Sequence, residues 1–240
     1  MSLVGILGGL AGLGVVAAAT NGSHYIRERR HRRLIARVLM HPDDRAAAIA
    51  SLRREVEQLA LSGTNVAGGG LRRSAALRDS RLALAELLLA EGRASEALSQ
   101  ISFIAVPLDD PPPAWLWRLR LLACQAELAA RQLEAADGWL AALPPRAKPP
   151  SRHRDMLADL RAQIALARGA GEEALGILDR APKGGGRITR ARVLARLGRE
   201  VAAEELLAGL GRSELARIQS QYSDEPISGL AAMLLNGPYR

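Results

Sequence analysis

Residues 85–101 read AELLLAEGRASEALSQI, and three later stretches share the layout: ACQAELAARQLEAADGW at 123–139, AQIALARGAGEEALGIL at 162–178 and ARVLARLGREVAAEELL at 191–207. Each stretch has Gly, or Ala once, at its eighth position, between segments with Leu and Ala three and four residues apart. This spacing is typical of amphipathic helices, and glycine is the residue that most easily makes a tight turn. The four stretches therefore predict four helix pairs, each joined by a short turn.

Four positions recur in every copy of the stretch. Relative to the turn they are an alanine seven residues earlier (Ala85, Ala123, Ala162, Ala191), the turn itself (Gly92, Ala130, Gly169, Gly198), an alanine five residues later (Ala97, Ala135, Ala174, Ala203) and a large apolar residue nine residues later (Ile101, Trp139, Leu178, Leu207). Small residues on facing surfaces let two antiparallel helices approach closely, and the large residue fills the space toward the next pair. We expect the alanines to be packing residues.

The repeat resembles the tetratricopeptide repeat (TPR) over about residues 78–210, on the alanine, turn and large apolar positions of the four stretches. The unit spacings are 38, 39 and 29 residues (92 to 130, 130 to 169, 169 to 198), whereas the family repeats every 34 or so. Where the family usually has a tyrosine, this chain has Leu88, Ala126, Ala165 and Leu194. The resemblance implies a right-handed superhelix whose concave face holds a peptide or a partner helix. The predicted fold class is all-α, a degenerate TPR-like antiparallel helix-pair solenoid preceded by one transmembrane helix.

The amino-terminal segment has the features of a membrane span. Residues 2–20 are apolar or small throughout, and no charged side chain precedes Arg27. At a helical rise of about 1.5 Å per residue these residues reach roughly 28 Å, close to the thickness of a bilayer core. The arginines that follow are Arg27, Arg29, Arg30, Arg32, Arg33 and Arg37. Because such a basic cluster stays on the cytoplasmic side, we expect a single-pass protein of the bacterial inner membrane, with its amino terminus outside and its body in the cytoplasm.

Two other interpretations of this segment stay open. A cleaved signal peptide would carry positive charge before its apolar stretch, which this chain lacks, although Ala17–Ala19 resemble a cleavage site. A buried helix of a soluble domain is disfavoured by the five glycines of the segment, because glycine weakens helices. The pairs Gly5/Gly9 and Gly8/Gly12 have the GxxxG spacing that lets membrane helices pack closely. They predict homo- or hetero-oligomer contacts through the span.

The domain organisation follows from these features. Residues 1–22 form the predicted anchor, and residues 23–70 form a basic juxtamembrane helix with a capping helix. Residues 71–211 form the solenoid of about four helix pairs, and residues 212–240 form a carboxy-terminal cap and tail. A solenoid needs such caps because its terminal units would otherwise expose apolar surface.

Composition argues against several classes of function. The net charge is +8, but residues 23–37 contribute six arginines minus one glutamate, or +5, so the basicity is concentrated beside the span, where it suits lipid headgroups. With only 3% aromatic residues to stack on bases, we expect no specific nucleic-acid binding. The sequence contains no nucleotide-binding, zinc-protease or nucleophile-elbow motif. The lone Cys124 and four scattered histidines predict neither a metal nor a cofactor, and we expect no enzyme activity.

The functional hypothesis is a membrane-anchored scaffold or assembly factor that recruits other proteins through its cytoplasmic helical domain. Trp115 and Trp117, at the start of a predicted helix, are candidate partner contacts, although both could pack inside the solenoid instead. One alternative is a permanent structural subunit of a larger membrane complex, packed through its transmembrane helix. Another is a periplasmic chaperone-like protein in the opposite orientation.

Overall fold

The computed structural model describes residues 29–31, 33–38, 42–61, 70–104, 114–143, 151–181 and 186–236. Within these ranges the chain forms only helices and turns, which confirms the predicted all-α class. A short 3-10 helix, Pro42–Asp44, precedes the first α-helix with both ends described. In chain order the helices are α1 (Arg45–Leu61), α2 (Gly70–Ala90), α3 (Ala94–Ser102), α4 (Ala114–Ala129), α5 (Leu133–Ala141), α6 (Ser151–Ala167), α7 (Gly171–Asp179), α8 (Arg187–Arg196), α9 (Glu200–Ala208), α10 (Arg212–Gln221) and α11 (Pro226–Asn236).

The chain divides into two compact units, Met1–Pro107 and Leu108–Arg240. In the amino-terminal unit α2 packs against both α1 and α3. In the carboxy-terminal unit α4 pairs with α5, α6 with α7, α8 with α9, and α10 with α11. Neighbouring pairs of this unit meet through their first helices, α4 with α6 and α6 with α8, and each second helix also packs against the first helix of the next pair, α5 against α6 and α7 against α8. The boundary between the units falls inside the predicted 71–211 solenoid, after its first helix pair.

Four helix pairs are joined by the same turn. In the first pair the N–H of Gly92 donates to the carbonyl of Leu89, and the N–H of Arg93 donates to the carbonyl of Leu88. These two bonds define the Schellman ending of a helix. The second bond recurs in the other pairs, from Gln132 to Glu127, from Ala170 to Ala165 and from Arg199 to Leu194. The repeat is therefore present in the backbone itself.

One residue in each turn has the left-handed conformation that this ending requires. It is Gly92 (φ 74°), Arg131 (φ 60°), Gly169 (φ 81°) and Gly198 (φ 73°). The turn of the second pair thus lies at Arg131, one residue after the predicted Ala130. Arginine can take this conformation at a cost in energy, so glycine is not obligatory there. The distances between turns become 39, 38 and 29 residues (92 to 131, 131 to 169, 169 to 198).

The corrected turn shifts every predicted position of the second pair by one residue. Seven residues before Arg131 is Cys124, not Ala123; five residues after it is Ala136, not Ala135; and nine residues after it is Leu140, not Trp139. Burial agrees with the shift, because Ala136 is fully buried whereas Ala135 is only half-buried. A small side chain is required at these positions, and cysteine meets that requirement as well as alanine does.

With this register the three packing columns are uniformly buried. The small residues of the first helices are Ala85, Cys124, Ala162 and Ala191, and those of the second helices are Ala97, Ala136, Ala174 and Ala203, all at 0% exposure. The large apolar column is Ile101, Leu140, Leu178 and Leu207, at 7% exposure or less. The small columns let the two helices of a pair pack closely.

A hydrogen bond from an arginine side chain to the carboxy-terminal end of the second helix recurs in three of the four pairs. The guanidinium of Arg81 donates to the carbonyl of Phe103 at 2.8 Å, that of Arg120 to the carbonyl of Ala142, and that of Arg187 to the carbonyl of Gly209 at 3.4 Å. Each arginine lies eleven residues before its turn, and each acceptor is one of the carbonyls that a helix end leaves without an internal partner. In the third pair Ala158 occupies this position. The sequence contains this signal, but arginine is too common in this chain to mark the position by itself.

The two last helices cover the end of the carboxy-terminal unit. α11 packs against α8, α9 and α10, and its buried residues Ile227, Leu230 and Ala231 join the apolar cluster that contains Ala203 and Leu207. Burial of a side chain the size of Ile227 or Leu230 stabilises a domain by about 1.5–3 kcal/mol. These helices therefore close the apolar face that α8 and α9 would otherwise expose.

Replacing Arg131 by glycine is expected to raise the stability of the carboxy-terminal unit by about 1 kcal/mol, because glycine takes the left-handed conformation without strain. The contact that is lost, from Arg131 Nη2 to Asp224 Oδ2 at 3.6 Å, is solvent-exposed and stabilises little. The midpoint of urea unfolding measures the change. Ala130→Gly is the matched control and should lower the midpoint, since Ala130 has no positive φ to relieve.

The predicted membrane span, residues 1–22, lies outside the described residues. Among the helices that the structure does describe, none combines the length and the apolar character that crossing a membrane requires. Of the basic juxtamembrane region, residues 29–31 and 33–38 are described and helical.

Candidate protein-interaction surface

The residues predicted to act at the membrane are only partly within the described ranges. Gly5, Gly8, Gly9, Gly12, Arg27 and Arg32 lie outside them. The side chains of Arg29, Arg30, Arg33 and Arg37 are exposed. Arg37 Nη2 lies 3.1 Å from Asp44 Oδ2, in a pair that is open to solvent on both sides. These arginines therefore present their charge at the surface of the amino-terminal unit.

The two tryptophans proposed as partner contacts differ in burial. Trp117 is 5% exposed and packs in the apolar cluster of Leu121, Cys124 and Ala136, so it is a core residue and the partner-contact hypothesis is wrong for it. Trp115 is half-buried. On a helix, residues two apart face different directions, which accounts for the difference.

A polar row crosses the first helices of the repeats. Six residues before the turn, the four pairs have Glu86, Gln125, Gln163 and Arg192. Gln125 is exposed and the other three are half-buried. Because the position is equivalent in each pair, Gln125 of α4, Gln163 of α6 and Arg192 of α8 occupy the same face of the carboxy-terminal unit. We call these three residues the polar row.

A largely buried ion pair on this face joins α8 to the turn between α10 and α11. Arg192 donates from Nε to Glu225 Oε2 at 3.0 Å and from Nη2 to Glu225 Oε1 at 2.7 Å. Arg196 Nη2 lies 3.2 Å from the same Oε1. The side chains of Arg192 and Glu225 are only 13% and 14% exposed. Two-point bonding between arginine and a carboxylate is geometrically specific and stronger than a neutral hydrogen bond.

An aromatic ring completes this arrangement. The guanidinium carbon of Arg192 lies 4.1 Å from the centroid of the Tyr222 ring, within the range of a cation–π interaction. Arg192 therefore contacts a carboxylate and an aromatic face of the same short turn, Tyr222–Glu225. We call this turn the YSDE segment.

The pKa values of the paired groups follow the geometry. Burial alone would lower the pKa of Arg192, but the hydrogen bonds of Glu225 and the charges of Tyr222, Glu225 and Asp159 outweigh it and raise that pKa. Burial alone would raise the pKa of Glu225, but the hydrogen bonds and charges of Arg192 and Arg196 outweigh it and lower that pKa. Both groups are therefore charged at neutral pH. A carboxyl with a lowered pKa stabilises the fold above its ordinary value of 4.5, and that contribution is lost as the pH falls through the lowered value.

Asp159 of α6 adds a further negative charge beside the polar row. Its Oδ2 accepts a hydrogen bond from Gln163 Nε2 at 2.8 Å, and its Oδ1 is buried with no hydrogen-bond partner. A Cβ atom at Gly186, which precedes α8, would overlap that Oδ1. A larger residue at position 186 would therefore require the Asp159 side chain to move.

Cys124 is a packing residue with an inert thiol. Burial, reinforced by the charges of Asp137 and Glu127, raises its pKa from 9.0 to about 12. Since the thiolate is the reactive form, the native protein has almost no reactive thiol at neutral pH. The side chain fills a position that is alanine in the other three pairs.

Stability is expected to fall as the pH rises from about 9 toward 12, because the unfolded chain ionises its thiol and the folded chain does not. The slope from this group is at most about 1.4 kcal/mol per pH unit. Cys124→Ala should remove that part of the slope while changing stability at pH 7 by less than about 1 kcal/mol. Urea unfolding of both proteins at pH 7, 9 and 10.5 measures the difference. Equal pH slopes in the two proteins would contradict the prediction.

Comparison of the chain with protein-family models, with curated proteins and with solved structures gave no match. Within the ranges that the structure describes, no group of three or more His, Cys, Asp or Glu side chains is placed to hold a metal ion. The contacts described above for the carboxy-terminal unit lie on the face of the polar row. What this face offers is paired guanidinium groups, amides and an aromatic ring, which are groups that bind other polypeptides.

Proposed function

We propose that this protein is a membrane-anchored interaction scaffold or assembly factor, whose TPR-like solenoid recruits partner proteins on the cytoplasmic side of a bacterial inner membrane. The observation that carries the proposal is the repetition of one turn and three packing columns in four helix pairs. In solenoids of this kind each repeat contacts its neighbours and the stacked first helices offer an extended face to a ligand.

The polar row supports a binding role for that face. Its side chains lie at one repeat-equivalent position of α4, α6 and α8, where the neighbouring positions pack in the interior. Amides and guanidinium groups at regular intervals suit the backbone and acidic side chains of an extended segment. Other proteins, either subunits of a membrane complex or their peptide segments, are the partners we propose.

The predicted membrane anchor supports the proposed location at the cytoplasmic side of a membrane. Residues 2–20 form an uncharged apolar stretch followed by six arginines within residues 27–37, the order expected of a span with a cytoplasmic body. A tether of this kind raises the local concentration of a recruited protein beside its membrane target. The arginines contribute by attracting anionic lipid headgroups.

The alternative function is that of a permanent subunit of a membrane complex. The observation in its favour is the GxxxG spacing within the predicted span, which suits close packing against another transmembrane helix. In that case the span would hold the partner and the solenoid would be a peripheral support.

A pull-down in mild detergent separates the two functions. The full-length protein and a version that starts at residue 23 are each captured, and bound proteins are identified and quantified by mass spectrometry. Partners kept by both versions, and lost at high salt, would support recruitment by the solenoid. Partners at fixed stoichiometry that disappear with the span would favour the subunit role. Recovery of a protease-accessible carboxy terminus on the outer face would contradict the proposed orientation.

A further inference from the structure

The YSDE segment is held against α8 by side chains rather than by backbone pairing. Glu225 makes the two-point bond to Arg192 and a contact to Arg196, and Tyr222 lies against the Arg192 guanidinium. The backbone bonds of the segment are local, from the N–H of Tyr222 to the carbonyl of Ile218 and from the N–H of Glu225 to the carbonyl of Tyr222. Displacing the Glu225 and Tyr222 side chains from α8 breaks none of these bonds, and costs in addition the packing of Tyr222 against the apolar cluster that contains Leu207.

The YSDE segment contacts α8 through the kinds of groups that a bound peptide would use. A carboxylate and an aromatic ring, three residues apart, meet a pair of arginines one helical turn apart on α8. The middle residues Ser223 and Asp224 are exposed, and the Asp224 contact to Arg131 is solvent-exposed. Specific recognition thus comes from the two end residues, while the middle of the segment makes no buried contact.

We propose that the YSDE segment is an internal ligand that covers Arg192 and Arg196, and that a partner segment with an acidic residue close to an aromatic one displaces it. This inference rests on the proposed scaffold function, because it gives the chemical class of the segment that the solenoid recruits. The exchange replaces one carboxylate–arginine pair by another of the same kind, so Arg192 keeps a charged partner in both states. Because the internal ligand is tethered, it competes with the partner segment for Arg192 and Arg196 at high effective concentration. Only a partner segment with sufficient affinity for these arginines displaces it.

The probe is the segment of this chain itself, a fluorescein-labelled peptide QSQYSDEPIS (residues 219–228), titrated into the full-length protein in mild detergent with anisotropy as the readout. Glu225→Gln removes the charge of the internal ligand and keeps its shape. We expect the variant to bind the peptide at least about tenfold more tightly than the wild type, since apparent affinity scales with the fraction of protein whose site is open. The double variant Arg192→Gln/Glu225→Gln should lose that gain.

Asp224→Asn is the matched control, because it removes a neighbouring carboxylate that does not contact α8, and it should bind like the wild type. A peptide with Gln in place of Glu225 should bind the Glu225→Gln protein at least about tenfold more weakly than the parent peptide. No gain in Glu225→Gln, or a gain that persists without Arg192, would overturn the proposal.

A second measurement uses the wild type alone and does not depend on a variant that folds. Hydrogen exchange of residues 222–225 and of the first turn of α11 is followed with and without excess peptide. The proposal expects faster exchange in the YSDE segment on peptide addition, with α8 unchanged or slower. Unchanged exchange at saturating peptide would overturn it. If the peptide fails in both experiments while the pull-down still recovers partners through the solenoid, this inference fails and the proposed function stands.

Discussion

Replacing Ala136 by leucine is expected to destabilise the carboxy-terminal unit by about 1–3 kcal/mol, the usual cost of adding methylene groups to a packed interior. Ala136 is fully buried and lies in one cluster with Trp117, Leu121 and Leu140. A larger side chain there must separate α4 from α5 or push Trp117 out of place. Because leucine and alanine have similar helix propensities, the loss reports packing rather than helix formation.

Ala135→Leu is the matched control for this prediction. Ala135 is half-buried on the neighbouring face of α5, so leucine there should change stability by less than about 1 kcal/mol. Urea unfolding followed by tryptophan fluorescence suits both variants, since Trp115, Trp117 and Trp139 all lie in α4 and α5. If Ala135→Leu were the more damaging change, the turn would lie at Ala130 and the register set by Arg131 would be wrong.

The second helix pair shows what the sequence could and could not predict about the fold. The turns at Gly92, Gly169 and Gly198 were predictable because glycine is the residue that most readily accepts positive φ. At Arg131 the surrounding hydrogen bonds impose the same conformation on a residue with no such preference. Ala123 and Ala135 matched the expected columns only because alanine is abundant in both helices. Close packing of the two helices requires a small side chain at these positions. Cys124 is small enough, although the other three pairs have alanine there.

The pairing of Arg192 with Glu225 could not be predicted from the sequence, for a different reason. Arg192 and Glu225 are 33 residues apart, and they meet because α11, which follows Glu225 directly, packs against α8. No local spacing signals that contact. The polar row, in contrast, is partly visible in the sequence: Gln163 and Arg192 lie six residues before a predicted turn glycine, and Gln125 does so once the turn is placed at Arg131. An alignment of the four stretches by polarity as well as by small residues would have found it.

The caps and the candidate surface depend on the same residues. α10 and α11 close the apolar face of the last pair, and the turn between them supplies Glu225 to Arg192. A series of helix pairs that ends in this way can couple two events, since loosening α10 and α11 would uncover Arg192 and Arg196. A substitution that destabilises α10 and α11 is therefore also expected to change the exposure of Arg192 and Arg196.

Replacing Leu207 by alanine is expected to cost about 2–5 kcal/mol, the range for removing a large side chain from a packed core. Leu207 is fully buried, in one cluster with Ile218, Ile227 and Leu230 of the two capping helices. The cavity would lie where α9 meets α10 and α11, and helices of ten and eleven residues have little intrinsic stability without such packing. We expect a lower urea midpoint, and faster hydrogen exchange in α11 than in α4.

Leu206→Ala removes the same atoms from the neighbouring position and is the control. Leu206 is only half-buried, so the expected loss is about 1 kcal/mol, in proportion to the smaller apolar area that it removes from water. The two variants can be compared directly because helix propensity, chemistry and location along α9 are equal in both. Similar losses would mean that α10 and α11 do not pack on Leu207, and the contact between Arg192 and Glu225 would then lack the support that positions it.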